Sequence, residues 1–499
     1  MGVRRFYPPQ SGKLLHTISF RNYVATEVFQ PSTPFKSRSR FSLLLQSCIV
    51  GLVNFIENFL PSQILLETSQ RELGFLKKST RVFLENLVSK KVVSSWEFGS
   101  NHEGTPRYYA CQLILGPVFD GDGRQICAAG WLKGSGSSAD PDLAVVIALA
   151  EAVERVALSR WNEGKIQTYS ITDLKKCKKD HLARSYFANL SSEDEEKKIG
   201  WVSATEANSN KNVLLPADVV FMFYAQFHQD EISFAEPTSN GVGAHLTRDK
   251  AFFSAVTELV ERDGFLMYWL NSFAPQKIDL KSLSINKQVS DIIENLEAQN
   301  FSLHFLDCKT EYNIPVLVLV TIDNETGSVV VNAAAGMDTD ALVVKVLEDT
   351  LRWDPNYRPE APSVELTEIN GIHQRESLWY SGKMRKEIDF FLQGKAIEYS
   401  NYKQQFPVLD SYVDHNQYIK NEFAKLNSKL YVYYYNDLLA KEAGLEVCRV
   451  VAPDLIPMFF VENKKHLNVA RLYTFGKNMG LCDYEKAPDS LNTVPHPFI

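Results

Sequence analysis

One pattern of acidic and basic residues recurs along the chain, and its residue types could bind a metal ion together with phosphate. Residues 144–155 and 251–262 both read A-x-x-x-A-x-x-E-x-x-E-R without a gap, and residues 341–352 keep the first Glu and the Arg. Positions three and four apart share one face of a helix, so each copy presents carboxylate beside guanidinium. Carboxylate oxygens bind Mg²⁺, and guanidinium groups bind phosphate oxygens. The residues concerned are Glu151, Glu154, Glu258, Glu261 and Glu348, with Arg155, Arg262 and Arg352.

A solvated helix face is the ordinary explanation for Glu and Arg at this spacing, where each ion pair contributes only about 0.2–0.5 kcal/mol. Two observations favour a site instead. The pattern is repeated, and the residues between its charged positions are strongly apolar, for example Val145, Val146, Phe252 and Phe253. These helices are therefore predicted to be buried, where carboxylates and guanidinium groups need compensating partners. The alanines would let a neighbouring element approach closely.

Glycine-containing segments precede the first two helices, at Gly130–Ser138 and Thr238–Gly243. Backbone amides there, together with Lys133, could cradle a phosphate group, although ordinary turns have the same composition. The chain lacks the pattern G-x-x-x-x-G-K-[ST], and it has no G-x-G-x-x-G between a strand and a helix. A nucleotide would thus have to bind in some other fold.

The elements that position these residues follow from the hydrophobic periodicity. Strand-like and helix-like runs alternate after about residue 105, which predicts a mixed α/β or α+β core. The strand-like runs are 109–115, 219–224, 315–322, 328–332 and 429–434, and the helical runs are 143–159, 250–270 and 341–353. The segments 173–198 and 355–417 are predicted to be solvated insertions outside this core.

The first part of the chain has a different character. It begins with a polar, proline-containing stretch, and a helical periodicity follows up to about residue 89. Residues 73–93 read as a helix that leads into a short strand, as in a small winged-helix module. Two helices packed on the main domain are an equally good interpretation. We therefore predict a mainly helical region over residues 1–100 and the main domain over residues 101–499.

The composition excludes several classes of protein. The chain has 499 residues and a net charge of −7, so it has no global electrostatic reason to bind nucleic acid or an anionic membrane. It contains no apolar run that suits a signal peptide or a membrane span. The seven cysteines are scattered without a C-x-x-C pair, which argues against a disulfide framework and a structural zinc site. A reduced, soluble, cytoplasmic protein is the expected class.

The three motifs resemble those of the YcaO family, in which ATP and Mg²⁺ lie among Glu-rich helices of an α/β fold. The resemblance covers about residues 105–499, and its pieces occur in the family order. Residues 133–155 resemble the glycine-rich turn and the first Glu motif, and residues 238–241 with 258–263 resemble the T-S-N-G and E-x-x-E-R-D segments. Glu348 with Arg352 resembles the third motif. The resemblance implies a YcaO-type ATP-binding core.

The resemblance also implies roles for individual residues. The five glutamates of the repeated motif would form the shell around Mg²⁺ and phosphate. The residues that would hold ATP are Lys133, Ser135, Arg155, Ser239, Asn240, Arg262 and Arg352. Pro495, Pro497 and Ile499 stand at the end of the chain, which is similar to the proline-rich terminus of azoline-forming YcaO cyclodehydratases. This similarity implies a segment that reaches into the site and takes part in catalysis, with a frayed tail as the alternative.

Membership of the cyclodehydratase subclass would imply a definite reaction. A Cys, Ser or Thr side chain of a precursor peptide attacks the preceding carbonyl, ATP phosphorylates the resulting oxygen, and phosphate leaves to give a thiazoline or an oxazoline. The implied partners are a protein that binds the peptide leader and a flavin dehydrogenase, in a complex that contains this chain as a homodimer. The alternatives are a thioamide- or amidine-forming YcaO enzyme and a non-catalytic, peptide-binding subunit of a modifying complex.

Overall fold

The computed structural model of the protein describes residues 77–498 with short interruptions, together with the strand Ile18–Ser19. The interruptions are residues 101–107, 184–185, 187–190, 192, 234–235, 237, 281–286 and 354–356. Most of the predicted N-terminal region and Ile499 therefore lie outside the described residues.

The described strands are numbered in chain order. They are β1 (Ile18–Ser19), β2 (Val93–Ser100), β3 (Tyr109–Leu115), β4 (Val118–Phe119), β5 (Gln125–Cys127), β6 (Lys133–Ser138), β7 (Gln167–Tyr169), β8 (Ile199–Glu206), β9 (Asn212–Pro216), β10 (Val242–His245), β11 (Gln276–Asp279), β12 (Phe301–Asp307), β13 (Val316–Asp323), β14 (Val329–Ala335), β15 (Ala396–Glu398), β16 (Tyr431–Tyr434) and β17 (Glu446–Val451).

The described α-helices are numbered in the same way. They are α1 (Lys78–Ser89), α2 (Pro141–Leu158), α3 (Ile171–Lys176), α4 (Ala217–Val220), α5 (Tyr224–Phe227), α6 (Arg248–Leu270), α7 (Lys287–Ala298), α8 (Thr339–Thr350), α9 (Ile372–Tyr380), α10 (Tyr399–Lys403), α11 (Tyr412–Lys425), α12 (Leu438–Glu442) and α13 (Ala470–Asn478).

Three sheets form the framework of the described chain. The first has the strand order β1-β2-β3-β6, the second β10-β17-β16-β8-β7 with β9 also paired to β8, and the third β14-β13-β12-β11-β15. Strand β13 is buried along its whole length. Its Val318 and Val320 face one hydrophobic core, and its Leu317 and Leu319 face another. Side chains alternate between the two faces of a strand, so an apolar run on β13 joins two cores.

Each helix that carries the acidic motif follows the outermost strand of a different sheet. Strand β6 leads into α2, β10 into α6 and β14 into α8, and each of these strands stands at one end of its sheet order. The repeated motif in the sequence thus corresponds to a repeated strand–helix unit. We refer to these pairs as units 1, 2 and 3.

Side-chain caps fix where the three helices begin. The Asp140 carboxylate accepts hydrogen bonds from the first backbone amides of α2, and Asp338 does the same for α8. The Thr247 hydroxyl accepts from the Lys250 amide at the start of α6. Such caps satisfy amides that have no partner within the helix. All three units therefore have a side-chain cap between the strand and the helix.

The predicted helical runs are confirmed, as are the strand-like runs other than residues 219–224. That segment is not a strand. It contains the end of the short helix α4 and the start of α5, and the Phe221 amide donates to the Ala217 carbonyl. Val219 and Val220 are fully buried in the core. A short, entirely apolar run fits a buried helical turn as well as it fits a strand, so periodicity alone misassigned it.

The prediction that residues 355–417 lie outside the core is wrong. Trp379, Phe391 and Tyr402 are completely buried, and the segment supplies α9, β15 and α10 to the core. Its many polar residues lie on the exposed side of these elements. In the sequence they obscure the apolar residues that form the buried side. In residues 173–198 most lysines and glutamates are exposed, but Leu174 and Leu182 are anchored in the core.

The helix and strand expected near residue 90 are both present, as α1 and β2. Strand β2 pairs with β3, so it belongs to the same sheet as unit 1. The division of the chain at residue 100 stays a prediction. Among the described helices, none combines the length and the apolar character needed to cross a bilayer.

Candidate active site

The three strand–helix units meet one another in a cyclic arrangement. Helix α2 contacts β10 of unit 2, helix α6 contacts β14 of unit 3, and helix α8 contacts β6 of unit 1. Each helix is thus shared between its own strand and the strand of the next unit. This arrangement brings the three copies of the acidic motif into one region of the molecule.

In unit 1, the first glutamate of the motif accepts hydrogen bonds from strand β6. The Glu151 carboxylate accepts hydrogen bonds from the Ser135 amide at 2.6 Å and from the Ser135 hydroxyl at 2.8 Å. Arg155 donates to Glu151 at 2.7 Å and lies 3.4 Å from Glu154. One guanidinium therefore lies between two carboxylates of its own helix.

Unit 2 repeats this geometry. The Glu258 carboxylate accepts a hydrogen bond from the Gly241 amide at 2.9 Å, just before β10. The Arg262 guanidinium lies 3.8 Å from Glu258 and 3.5 Å from Glu261. The two motifs that match in sequence therefore also make the same contacts. In both, the first glutamate accepts a hydrogen bond from a backbone amide of the preceding segment, and the arginine lies between two carboxylates.

Unit 3 connects to both of the others. Lys345 lies 3.8 Å from Glu261 of unit 2, and the Arg352 guanidinium donates to the Ser137 hydroxyl of unit 1. Arg352 also pairs with Asp349 at 3.0 Å. The weaker third copy of the motif is thus the one that links the other two copies.

We call Glu151, Glu154, Glu258, Glu261 and Glu348 the acidic cluster. Burial raises the pKa of Glu154 to about 8, because Arg155 offsets only part of the effect and Glu151 and Glu258 add to it. Burial also raises the pKa of Glu261, against Lys345 and Arg262, and raises that of Glu348 to about 7. The basic residues therefore do not fully balance the carboxylates, and a further cation would stabilise their charged forms.

The glycines of units 1 and 2 act through close packing. A Cβ atom on Gly134 would lie 2.3 Å from the Ala148 carbonyl oxygen, and one on Gly136 would lie 2.1 Å from that of Ala144. On Gly243 of β10 a Cβ would lie 2.3 Å from the Ala251 carbonyl oxygen. The prediction of close approach at the motif alanines is confirmed. The interpretation of residues 133–138 as a glycine-rich turn is wrong, because they form strand β6.

One cavity is lined by two glutamates of the acidic cluster, and a second is lined by Leu259, which follows Glu258 in the chain. A cavity of about 330 Å³ lies between α2 and β10, with Glu151, Glu154 and Ser254 among mostly apolar walls. A second cavity of about 120 Å³ is lined by Asn240 and Arg449, and we call it the Asn240 cavity. Asn240 is buried, and among the described residues neither its side-chain oxygen nor its side-chain nitrogen has a hydrogen-bond partner. These unpaired atoms point to a binding partner that the described part of the chain does not supply.

The proline-containing segment near residue 495 is docked in the core. Three consecutive backbone carbonyls each accept a side-chain hydrogen bond: Val494 from Trp269, Pro495 from Trp379, and His496 from Arg375. Pro495, His496 and Pro497 are all buried. The alternative of a frayed tail therefore does not hold for the described part of this segment.

Phe498 brings this segment to the acidic cluster. The Arg262 guanidinium carbon lies 4.2 Å from the centroid of the Phe498 ring, and Phe498 also forms an isolated bridge with Val331 of β14. An arginine over an aromatic face is held by cation–π attraction. The segment thus contacts unit 2 through Arg262 and unit 3 through β14.

Not every predicted residue is seen in contact with the cluster. Within the described part of the chain, Lys133 and Ser239 form no hydrogen bond or ion pair with the glutamates of the acidic cluster. Conversely, Arg449, whose charge lowers the pKa of Glu154, was not singled out by the sequence. It stands in β17, far along the chain, and no local pattern marks it. Asp349 of unit 3, which pairs with Arg352, was also not singled out by the sequence.

The donor chemistry of the cluster fits Mg²⁺ and a phosphate compound. The carboxylates are oxygen donors, and burial raises the pKa of Glu154, Glu261 and Glu348. The Asn240 side chain adds a donor nitrogen and an acceptor oxygen. Over the described ranges, no three acidic, His or Cys side chains are grouped closely enough to hold a metal ion between them. Four of the five glutamates instead contact basic side chains or backbone amides: Glu151, Glu154, Glu258 and Glu261.

Comparison with known proteins identifies a family. The sequence model of the YcaO cyclodehydratases, described as ATP- and Mg²⁺-binding, matches residues 135–456, well over half of the chain. An uncharacterised protein of Methanothermobacter thermautotrophicus is 21% identical over 218 residues, which are 43% of this chain and 55% of that protein.

Solved structures share the fold. A heterocyclase in complex with substrate and cofactor has a TM-score of 0.60 and 16% identity, over 78% of this chain and 53% of that one. YcaO from Methanopyrus kandleri, bound with AMPPCP and Mg²⁺, has a TM-score of 0.53 and 15% identity, over 79% of this chain and 91% of that one. The chain spans about half the length of the Methanothermobacter protein and of the heterocyclase.

Proposed function

The chain belongs to the YcaO family, whose members bind ATP and Mg²⁺, and we propose that it is an ATP-dependent peptide cyclodehydratase. In the proposed reaction, a Cys, Ser or Thr side chain of a ribosomally made precursor peptide closes on the preceding amide to give a thiazoline or an oxazoline. When bound, ATP supplies the phosphoryl group that turns the amide oxygen into a leaving group, and Mg²⁺ neutralises phosphate charge.

The observation that carries this proposal is the meeting of three acidic motifs in one place. Phosphoryl transfer needs positioned reactants and neutralised charge rather than a covalent protein group. Fixed carboxylates next to arginines supply both, because the former bind the metal and the latter bind phosphate oxygens. The 330 Å³ cavity beside Glu151 and Glu154 adds an apolar space next to these charges.

We assign the residues accordingly. The acidic cluster holds Mg²⁺, with Glu154 and Glu261 as its most buried members. The residues that bind the nucleotide are Lys133, Ser135, Arg155, Ser239, Asn240, Arg262 and Arg352. Binding releases Arg155 and Arg262 from part of their carboxylate contacts, so that they can hold phosphate.

The segment with Pro495, Pro497 and Ile499 takes part in catalysis in this proposal. Its docking beside Arg262 supports such a role, because it excludes water from one side of the cluster. Two proline rings restrict the unbound conformations of the segment, so docking costs less conformational entropy.

The proposed partners are those that the reaction requires. The substrate is a precursor peptide, captured by a leader-binding protein, and a flavin dehydrogenase oxidises the azoline ring that is formed. We place the chain as a homodimer in a cytoplasmic complex of this kind. Residues 1–100 are the proposed docking region for the leader or for its binding protein.

The test is to incubate the protein with ATP, Mg²⁺ and a candidate precursor peptide and to record the peptide mass. We expect the loss of one water per modified residue together with stoichiometric ATP consumption. Glu154→Gln should lower the rate by about 100-fold or more, since it removes a metal ligand. Glu365→Gln, at an exposed position, serves as the matched control.

Each other outcome has a distinct meaning. A mass gain that corresponds to exchange of oxygen for sulfur would identify a thioamide-forming enzyme, and addition of an amine with loss of water would identify an amidine-forming one. Tight peptide binding without a mass change would identify a peptide-binding subunit. Each of these results would contradict cyclodehydration.

A further inference from the structure

The Asn240 cavity is lined by one of the residues that the proposed function places beside the nucleotide. Asn240 forms one wall, and it is among the residues proposed to hold the nucleotide. The Arg449 side chain lines the same cavity and is close enough to Glu154 to lower its pKa. A group bound in this cavity would therefore contact Asn240 and Arg449, and through them lie near the proposed nucleotide site. Its volume of about 120 Å³ has room for several water molecules, or for a small side chain with its peptide group.

His466 also lines this cavity, and nothing in the proposed mechanism uses it so far. Its ring packs against Tyr186 with centroids 5.4 Å apart. The Nε2 atom is buried and has no hydrogen-bond partner in the part of the chain that the structure describes. A buried ring nitrogen without a partner costs stability, so its presence next to a cavity indicates that a ligand completes the contact.

We propose that the Asn240 cavity binds the reacting Cys, Ser or Thr residue of the substrate peptide and that His466 Nε2 accepts the proton of its side chain. This inference rests on the proposed function, because it assumes that a peptide is the acceptor of the phosphoryl group.

The charged groups around the cavity suit this step. Arg449, Lys464 and Lys465 face it with one carboxylate, Glu236. Lys465 is paired with Glu462 at 2.5 Å, and the Phe460 amide donates to Glu236. The remaining positive charge stabilises the negative charge that forms on the amide oxygen when the ring closes.

The protonation state of His466 agrees with the role of a base. Burial lowers its pKa below the usual value, so the ring is neutral near pH 7. In the tautomer with its proton on Nδ1, the Nε2 lone pair is free to accept a proton.

The atoms and electrons of the proposed step balance. The S–H or O–H bond of the substrate side chain breaks, its proton moves to Nε2, and its electron pair forms the new bond to the carbonyl carbon. The π electrons of the carbonyl move to its oxygen, which becomes the nucleophile for phosphoryl transfer. No oxidant or reductant is needed.

Chemical rescue tests this role directly. We expect His466→Ala to lower the rate of peptide dehydration by about 100-fold, the size typical of general base catalysis, and added imidazole to restore much of it. His373→Ala, at an exposed histidine on α9, should have no effect and is the matched control. A folded His466→Ala protein with the wild-type rate, or one that imidazole does not rescue, would overturn the proposal. If His466→Ala does not fold, His466→Gln decides by the same rate criterion.

A measurement without nucleotide separates this inference from the proposed function. In protein with labelled histidine rings, the NMR signal missing from His466→Ala is assigned to His466. We expect it to shift on addition of the peptide that the wild-type protein dehydrates. A shift with inorganic phosphate instead, or with neither, would show that the cavity does not bind the acceptor. If the wild-type protein dehydrates no peptide, the proposed function itself fails.

Discussion

Glu154 is a buried carboxylate that is only partly balanced by Arg155 and lies close to two other glutamates. Such a residue destabilises the chain that carries it, because burial disfavours the charged form. Glu348 is in the same situation, with Asp349 beside it. Residues of this kind persist where they serve a ligand, and a bound divalent cation would reverse the sign of their contribution.

These raised pKa values lead to a prediction about stability. Between about pH 4.5 and about pH 8, folded Glu154 keeps a proton that the unfolded chain has released, so metal-free protein becomes less stable as the pH rises through this window. One proton corresponds to at most about 1.4 kcal/mol per pH unit. Glu154→Gln removes this term, and its free energy of unfolding should decline less with pH than that of the wild type.

Urea unfolding at several pH values in the presence of a chelator measures the effect. The exposed Glu365→Gln variant should follow the wild type. Equal pH slopes for wild type and Glu154→Gln would mean that Glu154 is ionised normally and that the cluster already balances its own charge.

At the scale of the elements, the site depends on how closely each helix packs on its strand. Gly134 and Gly136 let the α2 backbone approach β6, and this approach places Glu151 at the free edge of the strand. Gly243 does the same between β10 and α6. The small residues on both partners, rather than the turn between them, therefore set the position of the carboxylates.

Gly136→Ala should separate this pair of elements. The new Cβ would lie 2.1 Å from the Ala144 carbonyl oxygen and 2.5 Å from the Ala148 amide, so α2 has to move. We expect a loss of about 1–3 kcal/mol in the free energy of unfolding, as for other overpacked sites, and a drop in dehydration rate. Gly99→Ala, with no atom of the described residues within 4 Å of the added carbon, should leave stability and rate unchanged. A Gly136→Ala protein as stable and active as the wild type would refute the close-packing account.

The sequence predicted the three helices because hydrophobic periodicity is a local signal. It did not predict β6 as a strand, because Gly has low strand propensity and the strand is held by its pairing with β3 and its packing on α2. The close approach at Ala144 and Ala148 could be anticipated from the alanines alone. Arg449 could not, because its nearness to Glu154 joins residues almost 300 positions apart and leaves no periodic trace.

At the scale of the whole molecule, distant parts of the chain hold residues 494–498 in place. Trp269 comes from unit 2, whereas Trp379 and Arg375 come from the segment that sequence patterns assigned to the solvent. Arg375 is fully buried and is paired with Glu462 at 2.7 Å. Proline has no amide proton, so this segment cannot form the regular backbone hydrogen bonds of a strand. Its successive carbonyls accept hydrogen bonds from side chains instead.

Trp379→Phe removes one of these donors and keeps the aromatic ring. The Pro495 carbonyl is left buried without a partner, which costs about 1–3 kcal/mol. We expect lower stability by circular dichroism and a lower turnover rate, with little change in ATP affinity, since Arg262 keeps its carboxylate contacts. Trp131→Phe, at a position 65% exposed, is the control. Unchanged turnover in a Trp379→Phe protein would argue that the segment does not support the site.

The central claim is that carboxylates from all three strand–helix units bind one magnesium-bound nucleotide. Calorimetric titration with the ATP analogue AMPPCP, with and without Mg²⁺, tests it on one variant from each unit: Glu154→Gln, Glu261→Gln and Glu348→Gln. We expect binding to the wild type to require Mg²⁺, each variant to bind at least about tenfold more weakly, and Glu365→Gln to bind normally. Binding that is independent of Mg²⁺, or that is unchanged in any one of the three variants, would contradict the claim.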